Sequence, residues 1–333
     1  MTETFERELS KPYHMAVSSP GADIARVDLS PPANRVASPK RVLIVESNQD
    51  GTVGGSYQAL FDLATRVDRA RFEPIALFYE DNVFVSRLRA RGIEVVVFDE
   101  IARKERETIK SRRPIANLLG LGSAVLRRRR ELRRLRIDLL HLNNSPGVGN
   151  DDWLPAARLV GIPCVVTAMG ESGRPRRRIH RWLYRRFDLY LAISRHMAGV
   201  LREQGVDPDR IELIYLGVDF ENLRARNVRT SEAVRAELGV AADQLLVLMV
   251  GNIRAWKGQR EVIAALRLLP ETVRARLRVC FAGATARTDA SYEAELRDEI
   301  AAGGLGDCVS FLGSRSDVPD LYGAADIAVH AST

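Results

Sequence analysis

Lys257 follows Gly251 at a spacing of six residues, with Arg254 between them, in the stretch Leu245-Leu246-Val247-Leu248-Met249-Val250-Gly251-Asn252-Ile253-Arg254-Ala255-Trp256-Lys257-Gly258. Two cations just beyond a strand-ending glycine suit the binding of a phosphate or diphosphate. The apolar run 245–250 predicts a buried parallel strand. Gly251 lets the backbone turn sharply at its carboxyl end. The helix expected from Gln259 then brings unpaired N–H groups and the positive end of its dipole to the same crevice. The same pattern also arises at ordinary strand-to-helix junctions whose lysine is merely solvated.

Other polar residues fall at strand ends too. His141, Asn143 and Asn144 stand at the carboxyl end of a strand expected over 138–142, where ligands of parallel sheets bind. His141 and Asn143 are therefore candidate ligand contacts or, alternatively, satisfied structural residues. Three cysteines, Cys164, Cys280 and Cys308, each lie in an apolar run without C-x-x-C or Cys/His spacing, a pattern of reduced structural thiols. No metal site is expected.

The elements that position these residues alternate strictly. Strands are expected over 41–46, 73–79, 93–98, 138–142, 163–168, 188–193 and 211–214. Helices are expected over 56–69, 83–91, 115–136, 152–160, 176–187 and 195–204. Such alternation means βαβ units and a doubly wound parallel sheet. A second series runs through strands 245–250, 277–282, 308–312 and 325–330, with helices 259–269, 290–302 and 317–323. Residues 1–39, mixing prolines, serines and scattered charge, read as a disordered leader. The first domain then covers 40–219, a charged linker 220–243, and the second domain 244–333. That last domain reads as truncated, because the sequence stops just after a strand.

Across 333 residues the net charge of +7 calls for an anionic partner. The arginines cluster at Arg127 to Arg130 with Arg133, Arg134 and Arg136, and again from Arg174 to Arg186. Both clusters interleave with apolar residues at helical spacing. The helices near 115–136 and 176–187 are thus amphipathic with basic outer faces, solvated or set against an anionic membrane surface. With no recognition motif or aromatic platform beside the charge, nucleic acid is not an expected partner. No apolar run reaches membrane-spanning length and no signal peptide is visible, so a cytoplasmic location is expected, peripheral at the inner face of the membrane.

Several separated motifs resemble glycosyltransferase family 4. They are Gly54-Gly55 after the first strand, Ala192-Ile193-Ser194 before a helix, and Ile214-Tyr215-Leu216-Gly217-Val218-Asp219. They continue with Val250-Gly251 and Lys257-Gly258, then Phe311-Leu312-Gly313 with Asp317-Val318, Leu321-Tyr322 and Ala324-Ala325-Asp326. The resemblance implies a GT-B fold, α/β with two Rossmann-like domains facing a cleft. It also implies transfer of a sugar from a nucleotide-diphosphate-sugar donor to a carbohydrate or lipid-linked acceptor, with retention and without a cofactor or metal, in polysaccharide or glycolipid biosynthesis. On that basis Gly251, Arg254 and Lys257 form the donor-diphosphate site, joined from the first domain by Gly54 and Gly55.

The sequence departs from the family pattern at three places. Asn252 stands where the family commonly has arginine, and Arg254 is the candidate for that role. Met169 stands where a histidine is usual, with Glu171 and Arg174 following as candidate sugar or acceptor contacts. The paired-glutamate motif that holds the donor sugar and ribose is missing from the sequence. The alternative to a transferase is a noncatalytic protein that binds a nucleotide or a membrane surface.

Overall fold

The computed structural model describes residues 38–48, 53–98, 114–144, 152–170, 182–285 and 289–332. Residues 1–37 of the expected leader, and the candidate contacts Glu171 and Arg174, lie outside the described residues.

The apolar strand runs become the interiors of two parallel sheets. In β1 (Lys40–Glu46), Leu43 and Val45 bury into one cluster, and Val42 and Ile44 into another on the opposite face. Side chains alternate across a strand, so a run covered on both faces has to be apolar throughout. β2 (Phe72–Phe78), β3 (Glu94–Val97), β4 (Leu139–Asn143), β5 (Cys164–Ala168), β6 (Leu189–Ala192) and β7 (Ile211–Leu213) complete a sheet of order β3-β2-β1-β4-β5-β6-β7. Every pairing in it is parallel.

β8 (Leu245–Val250), β9 (Leu277–Ala282), β10 (Val309–Gly313) and β11 (Ile327–Ala328) make the second sheet, of order β10-β9-β8-β11 and again parallel. Its faces divide in the same way, Val247 and Met249 to one side, Leu246 and Leu248 to the other. β11 is shorter than the strand expected over 325–330.

In each sheet the order reverses beside one strand. The chain moves outward from β1 through β2 and β3, then returns to place β4 on the other side of β1. Likewise β11 returns to the far side of β8. Crevices open at the carboxyl ends of such switch points. The glycine loop follows β1, and the cationic turn follows β8.

Helices cover the faces. In α1 (Gly55–Arg66), Tyr57, Leu60, Phe61 and Ala64 are buried at the i, i+3, i+4, i+7 spacing of one helical stripe. α2 (Val83–Arg89) is capped by Asn82, whose side chain accepts from the Phe84 N–H. α3 (Pro114–Arg134) and α4 (Trp153–Val160) follow in the same lobe, and α5 (Arg195–Glu203) is capped by Ser194.

The stretch 220–243, expected as a linker, carries two helices, α6 (Phe220–Ala225) and α7 (Ser231–Glu237). Val234 of α7 is fully buried, in a cluster with Leu246, Leu248 and Cys280. From Thr230 onward the segment is therefore part of the second lobe. Its charged outer face hid the buried stripe, because a seven-residue helix offers only one full repeat of the pattern. α8 (Gln259–Leu268), α9 (Glu271–Arg274), α10 (Ala290–Ala302) and α11 (Val318–Ala324) complete this lobe.

Candidate functional site: a cationic turn facing a glycine loop

The turn after β8 is built by the close approach of backbones. A Cβ on Gly283, just past β9, would lie 2.0 Å from the carbonyl oxygen of Gly251, and one on Gly258 would lie 2.0 Å from that of Ala331, just past β11. Gly258 also has φ +88°, a conformation that favours glycine. These contacts hold the turn between the strand ends on either side of β8. Beneath it Gln259, the first residue of α8 and fully buried, donates from Nε2 to the Asn252 carbonyl at 3.1 Å. Ile253 forms a parallel bridge with Thr285.

Upon this frame sit Lys257 and Arg254. Lys257 is half-buried, its stem beside Gly251 and its ammonium 4.1 Å from the centre of the Trp256 ring. Burial, then the charge of Arg254, holds its pKa below the ordinary lysine value. An anion entering between the two cations would offset both effects. Arg254 is oriented by Asp289, the residue before α10, at 3.8 Å.

Across the crevice lies the loop that ends in Gly54 and Gly55. Gly54 precedes α1 and has extended backbone, so the N–H groups of the first turn stand at the carboxyl end of β1. Asn252 reaches this loop, Nδ2 donating to the Val53 carbonyl at 3.3 Å. Among the described residues, the five expected phosphate-site residues thus fall on two facing loops, each at the switch point of its own sheet.

Directly below the glycine loop is a residue that sequence reasoning passed over. Glu46, the last residue of β1, is fully buried. Its carboxylate accepts from the Asn48 N–H at 3.0 Å, the Ser56 hydroxyl at 3.1 Å and Asn143 Nδ2 at 2.8 Å. Burial raises its pKa, opposed by those hydrogen bonds. Asn143 also donates to the Ser56 carbonyl at 2.8 Å, tying β1, β4 and the start of α1 together. The one signal in the sequence was an acidic residue closing a strand otherwise apolar from Val42 onward.

Of the two alternatives left open for His141 and Asn143, the structure shows both as buried, hydrogen-bonded residues. Asn143 is 2% exposed and spends its amide hydrogens on Glu46 and Ser56. His141 is 6% exposed, its Nε2 lies 2.7 Å from the Thr167 hydroxyl, and burial lowers its pKa to about 4. Strand position alone does not distinguish a residue at the mouth of the crevice from one inside the sheet.

The basic helices divide too. Arg128 points inward, 3% exposed, its Nε 2.9 Å from the Asp152 carboxylate and its guanidinium against the Phe98 and Trp153 rings. Leu126, Arg127, Arg129, Arg130 and Arg133 instead line a surface hollow of about 420 Å³ along α3. Of the second basic segment only 182–187 belongs to the described residues. No described helix is long and apolar enough to cross a membrane, and no three His, Cys, Asp or Glu among the described residues group as a metal site would require.

Two parallel α/β lobes with facing loops at their switch points define the GT-B class. Solved structures share this fold. Anabaena HepE in complex with UDP and glucose matches with TM-score 0.67 at 23% identity, over 88% of this chain and 74% of that one. A glycosyltransferase from Rickettsia africae matches with TM-score 0.68 at 18% identity, over 89% and 74%.

Two family models match in tandem, Glycosyltransferase Family 4 over residues 83–222 and Glycosyl transferases group 1 over residues 230–333. The chain belongs to glycosyltransferase family 4. The D-inositol 3-phosphate glycosyltransferase of Geodermatophilus obscurus is 30% identical over 233 residues, 64% of this chain. That of Streptomyces scabiei is 27% identical over 198 residues, 57% of this chain. The chain matches about half the length of the first of these relatives, 51%, and 40% of the second.

Proposed function

We propose that this protein transfers a sugar from a nucleotide-diphosphate-sugar donor to an acceptor hydroxyl, with retention of anomeric configuration, in the making of a polysaccharide or glycolipid. The observation that carries the reading is the half-buried pair Lys257 and Arg254 beside Gly251, facing the Gly54–Gly55 loop, in a chain matched by two glycosyltransferase models.

As the bond between the anomeric carbon and the diphosphate oxygen breaks, its electron pair leaves with the diphosphate. The acceptor oxygen bonds to the anomeric carbon and passes its proton to the departing diphosphate oxygen. Negative charge grows on the departing diphosphate, and cations fixed beside it bind that charge more tightly than the ground state, which lowers the barrier. Lys257 and Arg254 take that role. Gly251, Gly54 and Gly55 let the backbone close on the phosphates.

The test uses the full chain with UDP-glucose and UDP-galactose as donors, following UDP release and product configuration, beside calorimetric titration with UDP. Lys257→Ala should lower kcat/KM by about a hundredfold, a typical cost of removing one preorganised group from developing charge. UDP binding that depends on Lys257, without donor turnover, would instead favour the noncatalytic reading. UDP binding unchanged by Lys257→Ala would remove the site as assigned.

The basic hollow on α3 supports a location at an anionic membrane surface, the cytoplasmic inner face, where a lipid-linked acceptor would be met.

A further inference from the structure

Asn252 occupies the position at which the family resemblance leads one to expect an arginine, and its side chain turns to the other lobe. Nδ2 donates to the Val53 carbonyl, and it lies 3.8 Å from where a Gly54 Cβ would be, so the amide touches the glycine loop as well as bonding to it. Both ends of this link are anchored. On the second lobe, the Asn252 carbonyl is held by fully buried Gln259, and the neighbouring Gly251 carbonyl packs against Gly283. On the first lobe, the loop runs into α1, whose Ser56 is fixed through its hydroxyl to Glu46 and through its carbonyl to Asn143. A short side chain with few rotatable bonds spans two backbones that are each already held, so the ordering cost of the bond is small.

We propose that Asn252 is a positioning residue that couples the two sides of the cleft. It fastens the phosphate turn of the second lobe to the glycine loop of the first, leaving Lys257 and Arg254 to supply the positive charge. The inference rests on the donor-site reading for its functional consequence, but the coupling itself needs no ligand. A donor diphosphate would enter between two loops already held in register, and part of the cost of bringing them together would be met in the fold.

The test is amide hydrogen exchange by mass spectrometry on the full chain, with and without UDP, for wild type, Asn252→Ala, Asn252→Asp and Asn252→Gln. Without UDP, Asn252→Ala should speed exchange at 53–57 about fivefold, the loss of one typical hydrogen bond, while β1 and β8 keep their protection. Asn252→Asp should behave like Ala, because a carboxylate cannot donate to a carbonyl, and Asn252→Gln should recover part of the protection. UDP affinity should fall in the same order, by about fivefold for Ala. Exchange at 53–57 unchanged in Asn252→Ala, or Asp equal to wild type, would overturn the coupling. If wild type does not bind UDP, the donor reading fails, and the ligand-free exchange still decides whether Asn252 couples the loops.

Discussion

His141, for which the sequence leaves a ligand contact and a structural role both open, is a buried, hydrogen-bonded residue in the fold. Buried on β4 against the Thr167 hydroxyl, it is held neutral, with its pKa lowered to about 4 by burial. In the unfolded chain it takes up a proton near the ordinary histidine value. A lowered folded pKa gives a stability contribution that is present above about 6.5 and is lost as pH falls towards 4. Glu46 bends the curve the other way, since its raised pKa favours the fold at low pH and that contribution is lost as pH rises. Comparing variants separates the two. Urea unfolding between pH 7 and pH 4 should show His141→Gln losing less stability towards pH 4 than wild type does, the gap between the curves changing by about 3 kcal/mol across that range. Parallel curves would mean that His141 is not the group responsible. Lys257, its pKa also lowered by burial, differs from His141 in retaining access to the crevice and in having a second cation, Arg254, close by.

At the scale of elements, the cationic turn owes its shape to the strands beside it as much as to its own residues. The Gly251 carbonyl sits where a side chain at Gly283 would begin, so β9 fixes the height of the turn after β8. Gly283→Ala must therefore push the two strand ends apart. It should cost about 1–3 kcal/mol, in the range of overpacked interior sites, read as a lower urea midpoint. UDP affinity should fall with it, because Gly251 and the residues after it move together. A variant with wild-type midpoint and affinity would show that β9 does not fix the turn. Helix α7 carries a related lesson. Its sequence reads as a charged connection, yet Val234 and Leu238 complete the core beneath β8, so the second lobe begins before its first strand.

For the molecule as a whole, charge is distributed to a purpose that composition alone does not reveal. Arg128 is consumed internally by Asp152 and three aromatic rings, and it anchors α3 to α4. That anchoring leaves Arg127, Arg130 and Arg133 on the outside with exposed Leu126. Each arginine near an anionic bilayer contributes about 1 kcal/mol. Replacing Arg127, Arg130 and Arg133 together by alanine should weaken partition onto phosphatidylserine-containing vesicles by about a hundredfold or more, while zwitterionic vesicles show no difference. Added salt should reduce wild-type binding towards that of the variant. Equal partition of both proteins would place the membrane contact elsewhere or remove it. Near the connection between the lobes, Arg66 of α1 meets Asp219 at 2.5 Å and Asp219 caps α6. Both side chains are well exposed, so this pair adds orientation more than stability.

The sequence by itself determined the alternation of strand and helix, the two parallel sheets and the cationic turn. Those rest on local properties: apolar runs long enough for a doubly covered strand, one-faced helical periodicity, and a glycine where the chain must turn. Tertiary structure alone decided the rest. Glu46 and Asn143 are far apart in the chain and become neighbours only through strand register, and Val53 meets Asn252 across a cleft that no local pattern encodes. It also decided which arginine of a run faces inward, and that His141 lies inside the sheet rather than at the mouth of the crevice. The physical reason is the same in each case. Burial and hydrogen bonding between residues distant in sequence depend on which surfaces the fold brings together, and residue type at one position leaves that open.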